Sequence, residues 1–206
     1  MSGEDRRRQL IEVAIDLFSR KGFAGTTTKE IAKAAGVTEA IVFRHFVSKR
    51  DLYVAILEHI DSTQKIESFL LEAQRLMDAR DDVGLIRFIV SKIIASIRQD
   101  PRFERLMILA AMEGNELAEL HMQQFALPIG TRIHEYFSQR QREGALADGD
   151  PDAMLMAVAG AAHFYAMRKY VFAFKKPSCC EAIDIVETLT SLVSHGLLKQ
   201  TKGTTK

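Results

Sequence analysis

The chain has 206 residues, 28 Lys/Arg against 27 Asp/Glu, four prolines and no Trp. That length allows one large or two small domains with a sizeable core, and a chain rich in Ala, Leu, Ile, Glu, Arg and Lys favours helix over sheet. The opening MSGEDRRRQL lacks a signal peptide's apolar centre, and the most apolar stretch, 153–167, is shorter than the ~18 residues that suggest a membrane span. The expectation is a cytoplasmic protein with no membrane partner.

No alternating strand-like run is present, so the expected fold class is all-α, with about nine helices. Helix 1 is expected from about Arg6 to Lys21, with Leu10, Ala14, Leu17 and Phe18 on one face and Gly22 closing it. Thr27 and Glu30 then form a Thr-x-x-Glu capping box, Ile31 and Ala35 mark a buried side, and Gly36 ends a short helix. Val37 plugs the corner, Thr38 is placed as a second cap, and Glu39 to His45 make a turn and a half. Ala32 and Gly36 are small enough for the second helix to cross close over the first. This is a helix-turn-helix unit, whose second helix is built to enter a DNA major groove.

Ser48 and Asp51 make a further capping box that opens helix 4, which continues toward Met77 with or without a break near Ser62-Thr63. Asp81-Asp82 cap helix 5, which ends at Asp100-Pro101, and Pro101 suits the first turn of helix 6, ending near Gly114-Asn115. Helix 7 runs from Glu116 to Arg142 with a bend near Pro128-Gly130. A loop at 144–151 precedes helix 8, Pro151 to about Phe174, and helix 9 follows from Ser178 to Leu198. The polar tail 199–206 is expected to be disordered.

Charge is unevenly spread. Residues 1–50 hold ten Lys/Arg against six Asp/Glu, a net +4, and the remainder holds eighteen against twenty-one, −3. A basic head on a mildly acidic body suits attraction to phosphate without indiscriminate coating of DNA. The head also carries a family pattern: Gly22-Phe23, Thr26-Thr27, Ile31-Ala32, Ala35-Gly36-Val37, Phe43-x-His45-Phe46 and Ser48-Lys49-x-x-Leu52. In that order and spacing, from about Arg8 to Leu57, it resembles the DNA-binding domain of TetR-family transcriptional regulators. Two residues depart from the family's habit: Phe43 stands where a tyrosine is usual, and Ala40 where glycine is common.

The resemblance implies a helix-turn-helix domain over 1–52 and a helical ligand-binding and dimerisation domain over 53–198. It also implies that the last two helices form a two-fold four-helix interface, and the apolar pattern agrees. Helix 8 is apolar almost all round from Ala153 to Met167, which calls for burial on all sides, and Ala157, Gly160 and Ala161 permit close approach. Helix 9 keeps Asp184, Glu187, Thr188, Ser191 and His195 on one side. Ile183, Val186 and Val193, with Ile185, Leu189 and Leu192, spread apolar surface over more than half of it. The interface set is therefore Ala157, Ala161, Ile183, Val186 and Val193.

The body is rich in Met and Phe, which fill irregular cores and also suit surfaces for varied apolar ligands. The resemblance implies an inducer cavity, for which Phe69, Phe88, Met107, Phe125, His163 and Met167 are the candidate lining. On the DNA side, Lys49 and the first N–H groups of helix 4 are assigned to phosphate, with Thr27, Thr28 and His45 adding backbone contacts. Thr38, Glu39, Ala40 and Ile41 begin the recognition helix; Glu39 can accept from a cytosine amino group and Ile41 can touch a thymine methyl. Phe43 packs on sugar or fills the domain core, and Arg44 completes the set.

Enzyme chemistry finds no footing. The sequence lacks a Gly-x-Ser-x-Gly elbow, a P-loop, His-Glu-x-x-His and a dinucleotide fingerprint, so no catalytic residue and no cofactor is assigned. Asp148, Asp150 and Asp152 alternate but lack the Gly and Glu of a calcium loop, and the six histidines have no metal-ligand spacing. Cys179-Cys180 are read as two small thiols in preference to a redox pair. The expected function is a homodimeric repressor on an inverted-repeat operator in double-stranded DNA, released by a small apolar or amphipathic effector. The alternatives are an architectural or division-related DNA-binding dimer without an inducer, and an enzyme using the body cavity.

Overall fold

The computed structural model describes residues 2–64, 66–114, 116–172 and 184–198. Cys179-Cys180, Ile183, both ends of the 173–183 segment and the 199–206 tail lie outside the described residues. The described residues form helices joined by short turns and loops, and the chain divides into two compact units: Met1–Ile66 with Asp100–Phe125, and Glu67–Gln99 with Ala126–Lys206.

The N-terminal unit contains α1 (Gly3–Lys21), α2 (Thr28–Ala34), α3 (Glu39–His45), α4 (Lys49–Gln64), α7 (Pro101–Met112) and α8 (Glu116–His121). α1 starts three residues before the sequence-based boundary because Ser2 and Asp5 form a reciprocal capping box. Leu10, Ile11, Ala14, Ile15 and Phe18 of α1 sink into one core with Ile31, Val42, Phe46, Leu52, Tyr53, Ile56 and Leu57. Leu106, Ala110 and Leu117 from α7 and α8 close that core, which is why 100–125 groups with the head although it is distant in sequence. Each fully buried aliphatic or aromatic side chain contributes roughly 1.5–3 kcal/mol. Pro101 occupies the first turn of α7 behind the Asp100 cap, as its sequence position predicts.

The second unit contains α5 (Ile66–Asp78, from Glu67 onward), α6 (Asp82–Gln99), α9 (Leu127–Arg142), α10 (Pro151–Ala166) and α11 (Ile185–Leu197). α6 lies against α10 and α11 and buries Leu85, Ile86, Ile89, Val90, Ile94 and Ile97. α10 turns Met154, Val158, Ala162 and Ala166 inward, a stripe with the four-residue spacing of one helix face. Asp82, expected only as a cap, accepts from the Tyr136 hydroxyl at 2.6 Å and from Arg140 Nε and Nη2 at 2.9 and 2.8 Å. Gly84 N–H donates instead to Asp81 Oδ1 at 2.8 Å, so Asp81 alone does the capping.

Helix 7, expected from Glu116 to Arg142 with a bend near Pro128-Gly130, contains an irregular turn ahead of that proline. A π turn at Met122–Ala126 interrupts the helix just before Leu127-Pro128, and a second, Met167–Val171, follows α10. Proline lacks the N–H that a regular helix would use, so the distortion falls in the turn preceding it.

Candidate nucleic-acid interface

The helix-turn-helix geometry is set by local chemistry. Thr27 N–H donates to Glu30 Oε2 at 2.9 Å while Glu30 N–H donates to Thr27 Oγ1 at 3.2 Å. Lys21 Nζ lies 2.8 Å from Glu30, and with the Thr27 bonds it holds the Glu30 carboxyl well below its ordinary range, at about 2. At the far end Gly36 sits at φ 68°, with its N–H on the Lys33 carbonyl and the Val37 N–H on the Ala32 carbonyl. That is a Schellman closure, which needs the left-handed conformation that glycine adopts without strain, and Val37 packs against the core beneath it.

α3 is amphipathic over seven residues. Val42 and Phe46 are buried, whereas Thr38, Glu39, Ala40, Phe43 and Arg44 are exposed and Ile41 is half-exposed. Phe43 thus faces outward and does not fill the core. Thr38 occupies the cap position but makes no side-chain capping bond, contrary to the role read from sequence; its hydroxyl lies on the exposed side. Glu39 accepts a short hydrogen bond from the Thr28 hydroxyl, which ties the recognition helix to α2 and orients the carboxylate. Val47, which sequence reasoning passed over, is 87% exposed immediately after α3. An apolar residue next to the buried Phe46 and outside any helix was the available signal.

Of the ten basic residues of the head, four are ion-paired, Arg6 donates to Gln9 and Arg8 is exposed on α1. Arg7 pairs with Glu58, Arg20 with Asp16, Lys21 with Glu30 and Arg50 with Glu116. Lys29 and Lys33 on α2 and Arg44 on α3 are exposed and have no ion-pair partner among the described residues. Those three cations flank the exposed face of α3 and make it the strongest candidate for phosphate. Lys49 is placed differently: its ammonium donates to the carbonyls of Phe23 at 2.8 Å and Thr26 at 2.9 Å, and lies 4.1 Å from the Phe23 ring centroid. An ammonium has three donors, so one remains for phosphate after this turn is stapled. His45 is half-buried, with Nε2 buried and unpartnered, beside the Phe46 ring.

The family model for bacterial regulatory proteins of the tetR family matches residues 10–56, the stretch that builds this unit. The nucleoid occlusion factor SlmA of Aliivibrio fischeri strain MJ11 is 30% identical over 148 residues, covering 70% of this chain and 71% of that protein. The chain belongs to the TetR family. It is a DNA-binding regulator of that family. The fold agrees over nearly the whole length. A candidate transcriptional regulator of Saccharomonospora viridis, solved in complex with choline, superposes with TM-score 0.70 at 18% identity, over 96% of this chain and 100% of that one. The fatty acid degradation regulator FadR of Bacillus halodurans gives 0.61 at 18%, over 91% and 94%.

The other sequence-assigned residues of this TetR-family chain fall as follows. Phe69 and Phe88 meet with ring centroids 4.9 Å apart, and His163 and Met167 are half-buried in the same unit. Met107 and Phe125 belong to the N-terminal unit, where both pack on its core and Phe125 lies 5.4 Å from the His121 ring. Burial of His121 between Phe103 and Phe125 lowers its pKa. Tyr53, wholly buried against Phe18 and Phe23, has an unpartnered hydroxyl whose pKa burial raises. On α10 and α11, Ala157 is exposed while Ala161, Val186 and Val193 are half-exposed. Met156 is 68%, Phe164 65% and Leu192 67% exposed, larger apolar groups than the set chosen from sequence. α10 is therefore not buried on all sides within one chain. Among the described residues no helix is long and apolar enough to cross a membrane, and no group of three His, Cys, Asp or Glu could hold a metal.

Proposed function

We propose that the chain is a cytoplasmic, homodimeric transcriptional repressor that reads an inverted-repeat operator. The observation that carries this is the exposed face of α3, flanked by unpaired Lys29, Lys33 and Arg44. Thr38, Glu39, Ala40, Ile41 and Phe43 face the bases or sugars, and Thr27, Thr28, His45 and the remaining donor of Lys49 add backbone contacts. The apolar stripe of Ala153, Met156, Ala157, Gly160 and Phe164 on α10, with Leu192 on α11, supports pairing of two copies. It repeats at three and four residues, and a Cβ built at Gly160 or Gly196 would meet nothing within 4 Å in one chain. Two heads related by a two-fold axis require two half-sites.

Release by a small molecule is the second part of the reading. Phe69, Phe88, His163 and Met167, all in the second unit, remain the proposed effector-contacting residues, whereas Met107 and Phe125 pack on the core of the N-terminal unit; a neighbour in fold was solved with choline bound. An effector would act by favouring a spacing of the two heads that mismatches successive groove faces. One observation favours a competing reading without an inducer: several curated relatives are nucleoid occlusion factors. Selecting genomic fragments by bound protein tests the operator; a single inverted repeat enriched in promoters supports the repressor. Dispersed sites, with no compound in an apolar and amphipathic panel lowering DNA affinity, would replace it with the inducer-free reading.

A further inference from the structure

An open cleft of about 630 Å³ lies in the second unit between the end of α5 and α9. It presents four arginines, Arg80, Arg132, Arg140 and Arg142, against two acids, Asp78 and Glu135. None of the proposed effector residues lines it. Its apolar members, Met77 and Tyr136, are buried and form only the floor, so the walls offer an incoming molecule charge and amide groups in place of oil.

Of the acids in and around the cleft, Asp78, Asp82 and Glu143 are already occupied, and Glu135 is the exposed exception. Asp82 is saturated by Tyr136 and Arg140, and Glu143 accepts from Arg80 at 2.8 and 3.1 Å, from Gln139 at 2.9 Å and from Arg140. These bonds hold the Glu143 carboxyl at about 2, so it stays ionised and keeps Arg80 and Arg140 in place. Gln74 donates to Asp78 at 2.8 Å. Arg132 and Arg142 make no ion pair among the described residues. They stand ten residues apart on α9, roughly 15 Å along its axis.

A second, independent feature lies at the rim. Arg80 has φ 54°, the only positive value at a non-glycine among the described residues. Its N–H bonds the Met77 carbonyl and the Asp81 N–H bonds that of Leu76, the closure in which this position is ordinarily glycine. This left-handed backbone sets the Arg80 guanidinium on Glu143 at the rim of the cleft.

We propose that this cleft binds a small organic polyanion carrying carboxylate or phosphate groups at both ends, one gripped near Arg132 and the other near Arg142. Planar guanidinium forks match both oxyanions. The site is separate from the apolar effector reading and stands or falls without it.

Calorimetric titration of the full chain with citrate and, separately, fructose 1,6-bisphosphate at fixed ionic strength tests the site. Saturable binding of either probe is expected, with acetate giving none. Preference between the two identifies carboxylate or phosphate as the natural chemistry. R132A and R142A should each weaken binding by about tenfold or more, the loss of one charge-assisted contact. R80G relieves the backbone and removes one of the two arginines that neutralise Glu143, so it should weaken binding while the free protein remains folded by circular dichroism. Absence of binding at millimolar probe, or equal affinity in a folded R132A/R142A double variant, overturns the proposal.

Discussion

The two units solve the same problem with opposite materials. The N-terminal unit closes its core with large apolar groups from six helices and leaves unpaired cations on its surface. The second unit closes around α6 but keeps an almost fully buried Asp82–Arg140 pair at one end and leaves Met156, Phe164 and Leu192 in solvent. Apolar residues scattered singly over a surface are ordinary, whereas a contiguous stripe marks a contact surface. The first unit exposes Val47, Met112 and Met122 on separate elements, while Met156 and Phe164 of the second lie on the one helix α10. What distinguishes the first is a set of unpaired cations, fit for a polyanion, and what distinguishes the second is an apolar helix stripe, on which the proposed pairing of two copies rests.

The sharpest test of that contrast is the buried pair. Asp82→Ala leaves the Arg140 guanidinium and the Tyr136 hydroxyl without their shared acceptor, at a site where both charged side chains are about nine-tenths buried. Removing one partner of such a pair costs about 3–5 kcal/mol. Urea melts followed by a probe in the second unit should show a midpoint lowered accordingly. A loss under 1 kcal/mol would mean that the pair is solvated in solution and that the two units are not built differently.

The uncovered stripe comes next. Phe164→Glu changes a side chain already in water in the single chain, so the protomer should fold normally. In a dimer it removes two buried aromatic contacts and sets two carboxylates in an apolar interface, at a cost of about 3 kcal/mol or more. Sedimentation should show monomers at micromolar concentration, with operator affinity much reduced. Wild-type protein that sediments as a monomer while binding an inverted repeat tightly would sink the dimer reading.

How much of this was legible in the sequence follows from the range of the interactions. The Thr27–Glu30 box, the Gly36 closure, Val37 at the corner and Pro101 at the start of α7 all act within five residues, so spacing alone reveals them. Asp82 with Arg140 and Arg80 with Glu143 join residues 58 and 63 apart, and no local pattern marks them. The same holds in the head. Phe23 N–H donates to Glu113 across 90 residues, and Arg50 turns to Glu116 across 66, which removes a cation that sequence would leave free. The large exposed side chains of α10 were hidden for another reason. A helix apolar all round does not say which side faces its own chain, and periodicity was silent where every position was apolar.

Lys49→Ala probes a residue with two possible employments. Its ammonium holds the carbonyls of Phe23 and Thr26 together and covers the Phe23 ring. Losing charge-assisted bonds at a half-buried site should destabilise the head by about 1–2 kcal/mol. If the third donor also meets phosphate, the slope of log affinity against log salt falls by about 0.9. A stability loss with an unchanged slope assigns Lys49 to the turn alone and leaves phosphate to Lys29, Lys33 and Arg44.

The smallest effect separates two threonines that look alike in sequence. Thr27 accepts from the Glu30 N–H, whereas Thr38 starts α3 without a capping bond. Thr27→Ala should therefore cost about 1 kcal/mol of head stability, and Thr38→Ala should stay within about 0.5 kcal/mol of wild type. Acid provides an internal check. The Glu30 pKa is about 2 when folded against an ordinary 4.5, so its contribution is present above about pH 4.5 and fades as pH falls toward 2. The wild-type excess over Thr27→Ala should shrink across that window, because a protonated Glu30 no longer attracts Lys21 or receives the Thr27 N–H as well. Thr38→Ala should track wild type at every pH. With folding untouched, any loss of DNA affinity in Thr38→Ala reports a contact with DNA itself, placing that hydroxyl at the groove. If Thr38→Ala destabilises the head as much as Thr27→Ala, its hydroxyl caps α3 in solution and the exposed face of the recognition helix begins at Glu39.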